Sequence, residues 1–229
     1  MPLEQIISII VFFLVLVFIW GFFKKIFKLL YYAGIIITLL LAANLYFIYQ
    51  DFRDLRENFG VSEKKVVLKD GSGILTGLLL NEDASLMTNQ QLNDYSIYLK
   101  NNDYKKILDN SYKLMIFDVE IISSLDNEID LGYKAITPNE AVSILKSDAS
   151  QEEKASLFSI ILTDEILSSK NPLFFFSEFK EGNIIIYPET ALFKTVKLVP
   201  TDLFKNIAES LFEKTKEKAK AFIVEEAEQ

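Results

Sequence analysis

Cysteine and histidine are both absent from the 229 residues of this chain. The lack of cysteine excludes disulfides and thiolate nucleophiles, and the lack of both excludes the usual Cys/His zinc sites. The lack of histidine also excludes imidazole acid–base catalysis. No motif in the sequence identifies a reaction or a ligand. We therefore assign no catalytic, cofactor-binding or metal-binding residue from the sequence, and we expect no cofactor.

Charged residues are scarce in the first 49 positions, which contain only Glu4, Lys24, Lys25 and Lys28. The rest of the chain carries 21 of the 24 Lys+Arg and 31 of the 32 Asp+Glu, which gives it a formal charge of −10. An acidic region of this kind repels nucleic-acid phosphates, so we exclude a nucleic-acid partner. The uneven charge indicates lipid as the solvent of the first part and water as the solvent of the second.

Two hydrophobic segments of 21 residues each, 3–23 and 29–49, lie on either side of the three lysines. As helices they are about 30 Å long, which matches the hydrocarbon thickness of a bilayer. A cleaved signal peptide is disfavoured, because no small-residue cleavage site follows the first segment. We predict that residues 1–50 form a two-helix transmembrane hairpin. The lipid bilayer is then a partner, and the predicted localisation is the cell membrane with a multi-pass topology.

The second hydrophobic segment has small residues at every fourth position, namely Gly34, Thr38 and Ala42. This spacing allows another helix to approach closely. The first helix of the same chain is the expected neighbour, and a second copy of the chain is the alternative. The lysines of the predicted turn favour a cytoplasmic position for the turn. The domain that follows is then expected to be extracytoplasmic.

Residues 51–60 are predicted to form a short solvated stalk, and residues 61–229 a soluble domain of the α+β class. Strands at 65–70 and 74–80 flank Gly71, Ser72 and Gly73, a pattern typical of a β-hairpin. Ser72 is interpreted as a turn residue rather than a nucleophile, because no histidine is present to activate it.

Three further helices are indicated by capping boxes, in which Thr or Ser precedes Glu or Gln by three positions. The pairs are Thr88 with Gln91, Thr137 with Glu140, and Ser150 with Glu153, for helices at 88–100, 138–147 and 151–169. Strands are predicted at 112–122, 131–136, 183–187 and 195–199. The apolar segment from 172 to 176 is predicted as a core helix or a buried strand, with a segment that dips into the membrane surface as the alternative. An amphipathic helix at 201–226 ends the domain and is a second candidate surface for a protein partner.

Asp118 and Glu120 are two positions apart, so both would lie on one side of the strand predicted at 112–122. Paired carboxylates can bind a cation or act as acid and base. A solvated sheet face is the favoured interpretation, since a hard metal ion needs more oxygen ligands than this pair offers.

These observations favour a membrane-anchored, non-enzymatic module: a scaffold, assembly or sensory subunit of a membrane complex. One alternative is a membrane-tethered enzyme that uses carboxylate or serine/lysine chemistry. A small channel or transporter subunit is the other alternative. It is disfavoured because neither hydrophobic segment has an ionisable residue at its centre.

Overall fold

The computed structural model describes residues 3–59, 61–81, 84–167 and 173–198, with side chains from residue 11 onward. Contacts divide the chain into two units, residues 1–47 and residues 48–229. The C-terminal helix predicted at 201–226 lies outside the described residues.

The first unit belongs to a single α-helix, α1, which runs from Leu3 to Asn58 without interruption. The structure therefore does not show the predicted two-helix hairpin, and it does not support a multi-pass topology. The residues expected to form the turn, 24–28, contain neither glycine nor proline, and lysine is a good helix former. Gly21 alone costs a helix only about 1 kcal/mol, so nothing local forces a break there.

The second unit contains a five-stranded mixed sheet with the strand order β3-β2-β1-β4-β7. Strands β1 and β4 are parallel, and the other neighbouring pairs are antiparallel. Strands β5 and β6 form a separate two-stranded hairpin. The strands are β1 Lys64–Asp70, β2 Gly73–Leu80, β3 Ala84–Leu86, β4 Lys113–Asp118, β5 Ile129–Asp130, β6 Ala135–Ile136 and β7 Ile184–Tyr187.

Helices cover both faces of the five-stranded sheet. They are α2 Asn89–Lys100, α3 Tyr104–Leu108, α4 Glu120–Ser123, α5 Pro138–Lys146, α6 Gln151–Ile160, α7 Phe174–Glu181 and α8 Ala191–Val196, and α6 continues into a π-helix at Ile161–Ile166. Val67 and Ile116 face α2 and α3, whereas Val66, Leu68 and Phe117 belong to the larger core with α4 to α8. Because both faces are buried, the centres of β1 and β4 are apolar without alternation, at residues 66–68 and 114–117. The mixed α+β class is confirmed.

Several local predictions are confirmed. The β1–β2 hairpin turns at Gly71, whose φ is +57°, a value that glycine adopts readily. The capping boxes of Thr88 and Thr137 are both complete. Ser150 caps α6 by accepting a hydrogen bond from the N–H of Glu153. The strand predicted at 183–187 is β7, and the segment predicted from 172 to 176 contributes the start of a core helix, α7.

Three strand predictions differ from the structure. The strand predicted at 112–122 ends at Asp118, because Val119 adopts a helical conformation and α4 follows. The residues after Asp118 therefore form a helical turn, whose Ile121 and Ile122 are both buried. The segment predicted at 131–136 contains only β6. Of the strand predicted at 195–199, the described residues lie at the end of α8 and in the turn after it.

Candidate functional sites

The most extensive candidate surface is the apolar part of α1. The helix is long and apolar enough over Val11–Asn58 to cross a membrane, as a membrane span or a signal anchor. Between residues 11 and 47 nearly all its large hydrophobic side chains are exposed. An exposed apolar surface of this size is unfavourable in water, so it needs lipid or another protein as its surroundings.

Two polar side chains in this part of α1 bond to the helix itself. Thr38 Oγ1 donates to the carbonyl oxygen of Gly34 over 2.8 Å, and Asn44 Nδ2 donates to that of Leu40 over 3.0 Å. In a hydrocarbon environment polar groups must find partners inside the protein. These two bonds therefore suit a helix that is surrounded by lipid.

The last turns of α1 are surrounded by protein instead. Leu55 and Phe59 are buried and belong to the same core as Phe117 and Phe158. This differs from the solvated stalk predicted at 51–60. Acidic and basic residues in this stretch led to that prediction, but they occupy the positions around a buried apolar stripe.

Four polar side chains, Asp51, Asp54, Tyr112 and Lys113, form what we call the attachment cluster. Asp51 Oδ2 accepts a hydrogen bond of 3.0 Å from the N–H of Leu192 in α8. Asp54 Oδ2 accepts one of 2.5 Å from the hydroxyl of Tyr112, just before β4. The end of α1 is thus bonded to two distant parts of the second unit.

Burial and neighbouring charges change the pKa values in the attachment cluster. Burial, together with the hydrogen bond to Asp54, raises the pKa of Tyr112 well above its usual range. Burial lowers the pKa of Lys113, while the negative charges of Asp54 and Asp51 oppose this effect. The ammonium of Lys113 donates to the carbonyl oxygen of Pro188 over 3.1 Å. Every one of these groups has a protein partner, so the cluster fixes the helix end.

A buried lysine caps the C-terminus of α1. Lys64 Nζ donates to the carbonyl oxygens of Phe59 and Ser62 over 2.6 and 2.8 Å. The carbonyls at a helix C-terminus lack helical partners and carry partial negative charge, so a cation is favourable there. Lys64 therefore has a structural role at the junction of α1 and β1.

The acidic pair singled out in the sequence is separated by the end of β4. Asp118 forms an ion pair with Lys69 of the neighbouring strand, and its other oxygen accepts from the N–H of Glu120. Glu120 itself is exposed at the start of α4. Both oxygens of Asp118 therefore have partners within the protein.

Ser72, the serine considered as a nucleophile, is exposed in the turn between β1 and β2. Ser111, which the sequence analysis did not single out, is buried and donates a hydrogen bond of 2.5 Å to Glu63. Among the described residues, no group of three or more acidic side chains is placed to hold a metal ion. The enzyme alternative stays a prediction without a site that carries it.

A cavity of about 430 Å³ lies between the β5–β6 hairpin and helices α5 and α6. We call it the α6 groove. Leu131, Ile144, Leu157 and Ile160 give it an apolar lining. Its volume lies within the range of small-ligand pockets.

Polar side chains also line the α6 groove, namely Tyr133, Lys134, Glu152, Glu153 and Ser156. Sequence reasoning identified Glu153 only as a helix-capping residue, and it did not single out the others. No local pattern could have found the groove, because its walls come from three separate segments of the chain.

No protein-family model, curated protein or solved structure matches this chain. Its function therefore has to be argued from its own surfaces.

Proposed function

We propose that this chain is a membrane-anchored, non-enzymatic module that acts as a scaffold, assembly or sensory subunit of a membrane complex. The observation that carries the proposal is the exposed apolar surface of α1 between residues 11 and 47. Its polar side chains Thr38 and Asn44 bond to their own helix, as expected in lipid. The end of the same helix is built into the domain core through Leu55, which suits a module held at a membrane.

The lysines at 24, 25 and 28 limit how α1 can lie in a bilayer. A helix of 48 residues is about 70 Å long, more than twice the hydrocarbon thickness. Each lysine at the bilayer centre costs about 3 kcal/mol, so the three are expected at a surface. We propose that residues 29–49 span the bilayer, with the lysines on the cytoplasmic side and the domain outside. The exposed apolar residues 11–23 then lie on the cytoplasmic side, where another protein would have to cover them.

Membrane association is tested by fractionating cells that express the full chain and washing the membranes with alkaline carbonate. We expect the wild-type protein to stay in the membrane pellet until detergent is added. A variant with Leu39, Leu40 and Leu41 all changed to Glu should lose this retention, because buried charge opposes insertion. The matched variant with three alanines should retain it. Wild-type protein in the supernatant without detergent would refute the anchor.

The topology is tested with single cysteines, since the chain has none of its own. Variants Gln5→Cys, Ile26→Cys and Val61→Cys are labelled in intact cells with a thiol reagent that does not cross membranes. The proposal predicts labelling at position 61 and protection at 5 and 26. Labelling at 5 and 61 but not at 26 would instead indicate the two-helix hairpin.

The subunit role is tested by cross-linking in cells, followed by purification in mild detergent. We expect a defined complex, either with another membrane protein or with further copies of the chain. A strictly monomeric protein that cross-links to nothing would contradict this part of the proposal while leaving the anchor intact.

A further inference from the structure

The α6 groove combines an apolar floor with carboxylates at its edge. Leu157 is buried in its floor, while Leu131, Ile144 and Ile160 are each partly exposed. Glu152 and Glu153, in the first turn of α6, are both exposed at its wall. An occupant of this groove would bury apolar surface and place polar groups beside the two carboxylates.

The charges of the groove are not balanced within the described part of the chain. There, neither Glu152 nor Glu153 forms an ion pair with a lysine or arginine. Lys134, which also lines the groove, has its ammonium 6.0 Å from the centre of the Tyr133 ring. Its charge also contributes to lowering the pKa of Glu140, although hydrogen bonds from Thr137 are the main cause. The groove thus has two carboxylates and one cation, in a domain whose formal charge is −10.

We propose that the α6 groove binds a peptide segment of a partner protein that carries a basic residue between apolar residues. Arginine and lysine suit this site because their aliphatic stems pack on apolar surface while their charged ends reach polar partners. The floor would hold the stem and the neighbouring apolar side chains, and Glu152 and Glu153 would bind the cation. Tyr133, which is 80% exposed, offers a further ring face at the rim.

This inference deepens the proposed subunit role and rests on it, since it names the chemistry of a partner. Different experiments would refute the subunit role and the peptide binding by the α6 groove. Membrane retention and cross-linking do not depend on the groove, so a failed peptide test leaves them unaffected.

The test uses the full chain in nanodiscs of phosphatidylcholine and a short fluorescein-labelled peptide in which arginine alternates with leucine. Fluorescence anisotropy measures binding, with empty nanodiscs as the blank. The same peptide with glutamate in place of arginine is the matched probe. We expect the arginine peptide to bind more tightly than the glutamate peptide, and its affinity to fall as salt is raised. Equal binding of the two peptides, or binding no stronger than to empty nanodiscs, would overturn the proposal.

Charge-neutralising variants locate the site. Glu152→Gln with Glu153→Gln should weaken binding of the arginine peptide about tenfold, because two exposed ion pairs are lost. Lys134→Gln should bind it as well as or better than the wild type, because a like charge is removed. Asp126→Asn with Glu128→Gln makes the same change of net charge at exposed positions outside the groove and should alter affinity less than about twofold. An equal loss in this control, or no loss in the Glu152/Glu153 variant, would refute the assignment.

Discussion

The two parts of helix α1 use similar residues in opposite ways. Leu45 is 66% exposed, whereas Leu55, ten residues later on the same helix, is 1% exposed. Leucine is equally hydrophobic at both positions, so hydrophobicity alone does not decide which residues a protein buries. The difference comes from the neighbours in the sequence. Around Leu55 the helix carries Asp51, Arg53, Asp54 and Arg56, so only one stripe is apolar.

The hydrogen-bond partners of polar side chains also differ between the two regions. In the first unit, Thr38 bonds to the backbone one turn earlier in its own helix. In the second unit, some polar side chains instead bond to distant segments, as Asp51 does with Leu192 and Asp54 with Tyr112. A helix can satisfy its hydrogen bonds alone, but a packed domain joins distant segments. The first arrangement suits lipid and the second suits water.

The largest expected effect concerns the burial of Leu55. Leu55→Ala should lower the free energy of unfolding of the domain by about 2–5 kcal/mol, because it removes buried methyl groups and leaves a cavity. The change is measured by denaturant unfolding of the full chain in micelles, with limited proteolysis as the readout of the unfolded fraction.

The matched control is Leu45→Ala, the same change at an exposed position of the same helix. It should alter domain stability by less than about 0.5 kcal/mol. If the two variants were equally destabilising, the distinction between an exposed part and a core part of α1 would be wrong.

Two glycines extend the comparison to close packing. A Cβ atom at Gly77, in β2, would lie 2.6 Å from Sδ of Met87 and 3.3 Å from the carbonyl oxygen of Val66. At Gly34 in α1 nothing described lies within 4 Å. Gly77→Ala should therefore destabilise the domain by about 1–3 kcal/mol through overpacking. Thermal unfolding of both variants measures the difference.

Gly34→Ala should leave domain unfolding unchanged, and alanine also favours the helix. If the same variant reduced cross-linking between copies of the chain, the close helix contact predicted at Gly34, Thr38 and Ala42 would be supported.

A Gly77→Ala protein as stable as the wild type would contradict the overpacking prediction and show that Met87 moves aside without cost.

Sequence reasoning succeeded where the signal is local. Thr137 and Glu140 are three residues apart and complete each other's hydrogen bonds, so the start of α5 was predictable. Gly71 likewise marks its own turn. The parallel pairing of β1 with β4 joins segments more than 40 residues apart, and no periodicity reveals it. The α6 groove was missed for the same reason.

The predictions that differ from the structure also have physical causes. Residues 195–199 alternate in a way that resembles a strand, but Leu192, Phe193 and Val196 are buried on one side of α8, at helical spacing. The two-helix hairpin of residues 3–49, which the structure does not show, was inferred from bilayer thickness, whereas the unbroken α1 follows from helix propensity. Bilayer thickness and helix propensity are independent of each other, so the sequence pattern at 24–28 did not determine whether the helix breaks there.

A smaller effect is expected from a buried threonine. Thr76 in β2 is fully buried, and its hydroxyl has no hydrogen-bond partner among the described residues. Thr76→Val keeps the shape and removes the unpaired group, so it should raise the free energy of unfolding by about 1 kcal/mol. The control is Thr38→Val. The hydroxyl of Thr38 is hydrogen-bonded and lies in the first unit, so this change should leave domain unfolding unaltered. A less stable Thr76→Val protein would contradict this assignment.

The smallest effect at neutral pH concerns Tyr112 in the attachment cluster. Its pKa is raised in the folded protein, so its contribution to stability is present below the unfolded pKa of 10.0 and is lost as pH rises above that value. Lys113 acts in the opposite direction. Because its folded pKa is lowered, the unfolded chain binds more protons between the folded pKa and 10.5, and stability rises with pH there.

Tyr112→Phe should cost about 0.5 kcal/mol at neutral pH, since it removes one partly exposed hydrogen bond to Asp54. It should also remove the part of the stability loss above about pH 10 that comes from ionising the phenol. Urea unfolding of both proteins at several alkaline pH values measures this. Parallel pH profiles for the wild type and the variant would contradict the raised pKa of Tyr112 in the folded protein.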